Sequence, residues 1–467
     1  MVETVNVVVV GGGAAGLSAA VEIEAQGLSC RILEAQARLG GRVDTVSLPD
    51  GGAFDRGAQL VNGDMTAVLA LAREAGLACH PIPGGGRDLC VVGGEVLSRS
   101  ELISAEEIFE LLEAEIVRWD SPKEILRALW QTYRWWTTPW EGVGEAGRAV
   151  SRAVSRGTAP AGSLAAAIDG MLLCKEDAAL TYAMMCELTG AAPEALDAVA
   201  IRAAFLRYAS DRDDAEFQLA GGMGGIVAAL ARKLRHEPLL EASVREVQVS
   251  DGGVEVNSAR GRLLCDRVIV AVPPPVARGI TFGMDREVEL RSLLDAFEAG
   301  DMIKTVLLYG DAFWRLDGLS GAVSFADPPG LEVLDTSPGD GGPPRLTAFL
   351  GGPEARLRAA LPPEERRAKL LDDLARALGP TAAAPQQVAE ALWIDDAWVG
   401  GGYNATVRLG RCRDAVERLS RWDGPVRFAG AELSDTFWGY VEGAIRSGRA
   451  VARDVGSTVT GATRVRV

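Results

Sequence analysis

Histidine is nearly missing from this chain, with two residues in 467. Its seven cysteines, at 30, 79, 90, 174, 186, 265 and 412, are odd in number, scattered, and never spaced C-x-x-C. Those two shortages exclude a cysteine–histidine metal site and a disulfide framework, leaving reduced, mostly buried thiols as the expectation. Cations are also scarce: 48 Lys and Arg against 64 Asp and Glu leave a formal charge of −16, which denies nucleic acid the basic face it needs. The same charge is compatible with steering of cationic molecules and equally with a well-solvated acidic surface. No apolar run approaches the roughly 18 residues that span a bilayer, and the N-terminus enters its first strand without a leader. A cytoplasmic protein is expected, binding neither membrane nor nucleic acid, with a homodimer left open. At about 150 residues per domain, the length predicts two or three domains.

What is present begins at once. Val5 to Arg42 reads VNVVVVGGGAAGLSAAVEIEAQGLSCRILEAQARLGGR. The unbroken apolar run suits a strand buried on both faces of a parallel sheet. Gly11, Gly13 and Gly16 form G-x-G-x-x-G, which turns a strand tightly into a helix whose N-terminal N–H groups receive a pyrophosphate. A helix is predicted from Ala14 to Gln26, stopped by Gly27, and a second strand from Ser29 to Leu33, ending on Glu34. That acid stands where a carboxylate would accept hydrogen bonds from a ribose. Arg38 and Arg42 then bracket Gly40 and Gly41. Taken alone, the stretch predicts a dinucleotide, NAD or FAD.

Further on, runs either side of Pro49 to Gly52 predict a hairpin, and Asp64 is placed to cap a helix that Gly76 ends. From 79 to 210 helical patterns replace the strand texture. Ser104 and Glu107 make a capping box before Ile108, Leu111, Leu112 and Trp119. Five of the ten tryptophans fall between Trp119 and Trp140, as lobe packing or as the lining of a passage. Glycines recur at Ala220 to Gly225, followed by a strand near Ala242 to Val247, a turn at Asp251 to Gly253, and the buried run DRVIVAVPPP from Asp266. A second excursion, 287 to 390, holds a strand-like MIKTVLLYG, a Pro/Gly-rich stretch from Asp327 to Pro344 and a helix from Pro363 to Leu378. Lys304 sits among apolar residues, either snorkelling from a strand edge or facing a reaction centre. The last segment carries LWIDDAWVGGGYNA and RFAGAELSDTFWGYVEGAIRSGRAVA, a strand to Ala429 and a helix from near Gly439.

In that order, GGGAAGLSAA with Glu34 and RLGGR, DRVIVAVPPP, the Lys304 strand, the Trp393 to Tyr403 run and FAGAELSD with GYVEGAIRSG resemble the flavin-dependent amine oxidases, the monoamine oxidase group. The resemblance covers nearly the whole chain and implies an α/β protein. Its Rossmann-like FAD-binding domain (1–78, 211–286 and 391–460) would interleave with an α+β substrate-binding domain carrying a helical lobe (79–210 and 287–390), ahead of a flexible tail at 461–467. It implies FAD, with Gly11, Gly13, Ala14, Ala15 and Gly16 at the pyrophosphate, Glu34 and Ala35 at the ribose, and Arg38, Gly40, Gly41 and Arg42 near the phosphates. Gln59, Val244, Gly430 and Glu432 would complete the cofactor site. Trp393 would pack on the isoalloxazine, and Gly439, Tyr440 and Val441 would meet the flavin carbonyl. Lys304 matches the lysine that holds a water at flavin N5. Tyr403 and Tyr440 match two aromatic residues that face each other before the flavin, a slot that would aim an amine α-carbon.

The implied activity is oxidation of an amine, by hydride transfer to N5, to an imine and then an aldehyde or ketone, with O2 reduced to H2O2. In members with covalent FAD a cysteine precedes the first cage tyrosine; here that position is Gly402, so FAD is expected to be noncovalent. Two relatives of the same fold stay open. An L-amino-acid oxidase would need a guanidinium such as Arg134, Arg202 or Arg207 for the carboxylate, and a polyamine oxidase would use acids such as those of Asp211 to Glu216. Isoprenoid desaturases and porphyrinogen oxidases share the FAD fingerprint but give no reason for paired cage tyrosines.

Overall fold

The structure is a computed structural model, which describes residues 3–47, 53–120, 162–171, 173–208, 210, 212, 216–339 and 341–463. The apolar opening forms β1 (Glu3–Val10), which runs parallel to its neighbours on both sides. Val5 and Val7 to Val10 are buried because helices cover both faces of the sheet around them. Helix α1 (Ala14–Ala25) and β2 (Cys30–Leu33) complete the unit, and Gly27 at φ +80° ends the helix. The sheet continues from β1 through the strand Gly261–Val270 to Gly253–Ser258, Val244–Ser250 and Thr281–Gly283, while Val426–Phe428 pairs with the end of Gly261–Val270. The C-terminal helix Val441–Thr463 lies across α1, where a Cβ at Gly448 would meet the Ala15 carbonyl at 2.2 Å.

A second seven-stranded sheet takes the order Gln387–Leu392, Met302–Leu308, Arg345–Gly351, Pro329–Asp335, Leu319–Ala326, Arg87–Val92 and Glu95–Ser98. Two of these positions differ from the sequence reading. The strands Arg87–Val92 and Glu95–Ser98 open a stretch read as helical, because two short runs without two-residue alternation give no strand signal against the helices that follow. The strand Pro329–Asp335 lies inside the Pro/Gly-rich stretch; Gly330, at φ +85°, admits the helix Lys175–Thr189, whose Cys186 Cβ would sit 3.1 Å from any side chain there.

The helices Ala105–Asp120, Leu164–Gly170, Lys175–Thr189 and Ala198–Phe205 share a core of Ile108, Leu112, Ile116, Leu164, Ile168, Met185 and Ile201. The Ser104–Glu107 capping box forms, with Ser104 N–H donating to Glu107 and Glu107 N–H donating to Ser104 Oγ, but Leu111 is exposed. The hairpin tip at 48–52, the tryptophan cluster beyond Trp119, Arg134 and most of 211–215 lie outside the described residues. Among the described residues no helix is long and apolar enough to cross a membrane.

Candidate active site

Two glycines of the opening turn are dictated by packing. A Cβ at Gly16 would strike the Gly11 carbonyl at 1.9 Å, and Gly11 adopts φ +104° against Val272. Gly13, Gly41 and Gly430 differ: a Cβ there meets nothing closer than 3.7, 3.8 and 3.5 Å, so all three border open space. Gly13 is also the N-cap of α1 and supplies no side-chain cap, leaving the first-turn N–H groups of a buried helix end without a side-chain acceptor. A glycine-walled hollow over a bare helix N-terminus fits the diphosphate of a dinucleotide.

Around it, most expected residues are already engaged within the chain. Glu34 accepts the N–H groups of Gly12 at 2.6 Å and Gln36 at 2.8 Å, which shapes the turn. Arg38 folds back onto its own loop, donating to the carbonyls of Leu39, Gly41 and Val43. Arg42 forms a two-point pair with Glu432 at 2.5 and 3.0 Å and also donates to the Tyr403 carbonyl. Ala14 and Ala15 are buried in the first turn of α1, and Gly40 turns at φ +113°. Ala35 follows Glu34 into the loop, and Val244 opens its strand half-buried. A Cβ at Gly439, φ +84°, would collide with Asn404, which sets Tyr440 and Val441 at the start of the C-terminal helix.

Asp64 is not the helix cap that its position predicts. The N-terminus of Thr66–Glu74 is capped instead by Glu442, which accepts from Ala67 and Val68, while Asp64 accepts from Ser210. A buried carboxylate arriving from the far end of the chain takes the cap, while the local Asp64 side chain is turned to Ser210.

Lys304 does not lie on an edge strand. Its strand is flanked by Gln387–Leu392 and Arg345–Gly351, and the side chain is 3% exposed. Its Nζ donates to the Gly57 carbonyl at 2.9 Å and to Gln59 Oε1 at 2.7 Å. Burial pushes the ammonium down to about 8, opposed by the charge of Asp55. Asp55 is itself pushed up by burial, against the pull of Lys304, and its carboxylate accepts the Met223 N–H at 3.0 Å.

Phe349 lies directly opposite Lys304 across the sheet and connects it to the first tyrosine. The ammonium is 5.4 Å from the Phe349 ring centre, and Tyr403 tilts against the same ring at 6.3 Å. Met302, Phe349, Trp393 and Val399 pack as one apolar group beside Tyr403, and Trp393 anchors itself through Nε1 to the Arg56 carbonyl at 2.9 Å. Tyr440 stacks on Tyr208 at 4.9 Å and 23°, so each expected cage tyrosine has an aromatic partner of its own. The two tyrosines still sense each other: burial raises the Tyr403 phenol well above its ordinary range, Glu187 adds to this, and Tyr440 contributes.

Phe349, Tyr208, Asp55, Glu187 and Glu332 are the residues that sequence reasoning missed. Glu332 is cross-strand to Phe349 and is pushed up to about 8 by burial, with Glu187 reinforcing. Only Asp55 carried a signal, as an acid inside the short FDRGAQ run.

Residues 14–456 match the sequence profile of flavin-containing amine oxidoreductases. A Mycobacterium tuberculosis protein described as a flavin-containing monoamine oxidase is 30% identical to this chain, over 97% of it and 96% of the relative. The L-amino acid dehydrogenase of Synechocystis is 28% identical over 96% and 94% of the two chains. Among solved structures, cyclohexylamine oxidase from Brevibacterium oxydans superposes with a TM-score of 0.82 at 25% identity, covering 98% of this chain and 99% of its own.

Proposed function

We propose, from the premise that this chain belongs to the flavin-containing amine oxidoreductases, that it oxidises a primary or secondary amine to the imine with O2 as acceptor. FAD held there would supply the two-electron redox chemistry that links the amine α-carbon to O2. The balance is amine plus O2 to imine plus H2O2, and water then splits the imine to an aldehyde or ketone, releasing ammonia from a primary amine or the smaller amine from a secondary one.

The chain's own residues hold and orient. Gly11, Gly13, Gly16, Gly41 and Gly430 would receive the diphosphate, Glu34 the ribose, and the Arg42–Glu432 pair would stand beside the phosphate–ribityl part. Trp393 and the backbone of Val441 would fix the flavin end. Tyr403 and Tyr440 would bracket the neutral amine, and Lys304 would hold a water or a proton at N5. The strands of the first sheet would form the FAD domain and those of the second the substrate domain. All seven cysteines are free, in keeping with a cytoplasmic enzyme.

The observation that carries this reading is Lys304: a charged group fully inside a sheet, aimed at the aromatic wall of Phe349 and Tyr403. Anaerobic mixing with a panel of amines should bleach the flavin, and the reading fails if no amine or amino acid does so. Within the family, the acids Glu187 and Glu332 beside Tyr403 favour a substrate with a second ammonium, whose charge would draw the proton off Glu332, over an α-amino acid. Of the arginines an amino acid would need, Arg202 pairs with Glu113 at 2.9 Å, whereas Arg207 is held below its ordinary range by burial and has an Nε unpartnered among the described residues, which keeps an L-amino-acid oxidase as the second reading.

A further inference from the structure

Lysine carries three N–H donors, and Lys304 spends two of them on Gly57 and Gln59. Gln59 ends in a carboxamide whose oxygen and nitrogen are nearly equal in size, so the end that faces the lysine depends on what the other end meets. Gln59 Nε2 donates to Gln218 Oε1 at 3.1 Å. Gln218 in turn places its two N–H groups on the carbonyls of Thr336 and Ser337, at 3.0 and 3.2 Å. Backbone carbonyls only accept. The chain of bonds therefore runs in one direction, from the carbonyls at 336 and 337 through Gln218 and Gln59 to the ammonium, and all three side chains are buried.

We propose that Gln218 is a positioning residue for the amine oxidation reaction: it locks the Gln59 carboxamide with its oxygen toward Lys304, keeping the lysine a charged donor with its third N–H directed to the chamber. The proposal rests on the role given to Lys304 above. A flipped Gln59 would aim an NH2 group at the ammonium and withdraw one of its two acceptors. The charged and titratable groups around Lys304 are Asp55, whose charge opposes its desolvation, Arg345 beside Asp55, Glu332 on the same cross-strand row, and the Tyr403 phenol. His80 lies opposite Gln218 on the neighbouring strand.

The chain has only five lysines, so NMR of enzyme labelled with [ε-13C]lysine can follow Lys304 directly in the FAD-bound protein, assigned by loss of its signal in Lys304→Met. Gln218→Met should lower the titration midpoint of Lys304 by roughly one pH unit. Gln59→Glu removes the need for orientation, since a carboxylate presents an oxygen whichever way it turns. Gln218→Met made on the Gln59→Glu background should then produce no further fall, a coupling that a double-mutant cycle reads directly. An equal fall in both backgrounds, or no fall from Gln218→Met alone, overturns the proposal. If Gln218→Met does not fold, Gln218→Leu serves, with the same fall expected and the same absence of a fall overturning the proposal. Flavin that no amine bleaches, with these titrations as expected, would reject the amine reading and leave standing only the orientation of Gln59 toward Lys304 by Gln218.

Discussion

Arg42 and Glu432 stand 390 positions apart and meet in a two-point ion pair, with the carboxylate fully buried and the same guanidinium holding the carbonyl of Tyr403. One arginine thereby ties the hollow expected to receive the cofactor to a residue expected to receive the substrate. Tyr403 adopts φ +38°, an unusual conformation for a tyrosine, and the arginine is one of the contacts that hold it there.

Replacing Arg42 by Ala leaves Glu432 charged and without its cation in the interior, a loss of about 3–5 kcal/mol for a buried pair broken on one side. Urea unfolding of the apoprotein should show a midpoint well below wild type, and equilibrium dialysis should show weaker FAD binding. Unchanged unfolding would mean that the pair contributes specificity without stability.

Lys304→Met should slow flavin reduction or reoxidation while leaving FAD bound, as stopped-flow absorbance would show. It should also change the pH dependence of stability. The folded ammonium titrates near 8 and the unfolded one near its ordinary 10.5, so between those values the unfolded chain binds more protons. Wild-type stability gains from this group as pH rises from 8 to 10.5, and below pH 8 the full cost of burying the charge remains. The stability advantage of Lys304→Met should therefore be largest below pH 8 and shrink toward pH 10.5 in parallel denaturant titrations. A constant difference would place the titration elsewhere.

Gly402 leaves no room for the thioether seen in covalent relatives: a Cβ there would stand 2.2 Å from Met302 Cβ and 3.3 Å from Trp393 Cβ. Acid precipitation should release yellow flavin to the supernatant, whereas flavin retained on the denatured chain would refute noncovalent binding. Gly402→Cys should lose about 1–3 kcal/mol through overpacking, measured by thermal unfolding.

Glu442→Gln should weaken the start of the helix Thr66–Glu74. An amide has one acceptor oxygen for two N–H groups, at 3.0 and 2.8 Å in the native chain, and so leaves Ala67 or Val68 unpaired at a cost of about 1–3 kcal/mol. Hydrogen exchange at those two amides should accelerate before exchange elsewhere in the first sheet does. Protection equal to wild type would show that water or Asp64 takes over the cap.

Some of this was legible in the sequence because the cause is local. Gly16 must be glycine because of the Gly11 carbonyl five residues earlier. The Ser104–Glu107 box closes within one turn, and the helix Pro363–Leu378 starts and ends where proline and Gly379 dictate. Asp64 shows the limit: a sound local signal lost to Glu442, whose arrival depends on how the C-terminal helix crosses α1. The strand Arg87–Val92 has a near hairpin partner, Glu95–Ser98, but the pair joins its sheet only through Leu319–Ala326, far along the chain.

The order of motifs, the glycine turn, the acid after the second strand and a lysine stranded among apolar residues were determined by the sequence alone, because sterics and side-chain chemistry at those positions need no distant partner. Which groups meet that lysine was decided by the tertiary structure. Register across the second sheet puts Phe349 opposite Lys304 and Glu332 opposite Phe349, and the turn after Asp55 brings Gly57 and Gln59 to the ammonium. A one-residue slip in any of those strands would turn the same side chains to the other face. The identity of the lysine is thus a property of the chain, and its environment, buried, twice hydrogen-bonded and set against Phe349, is a property of the fold.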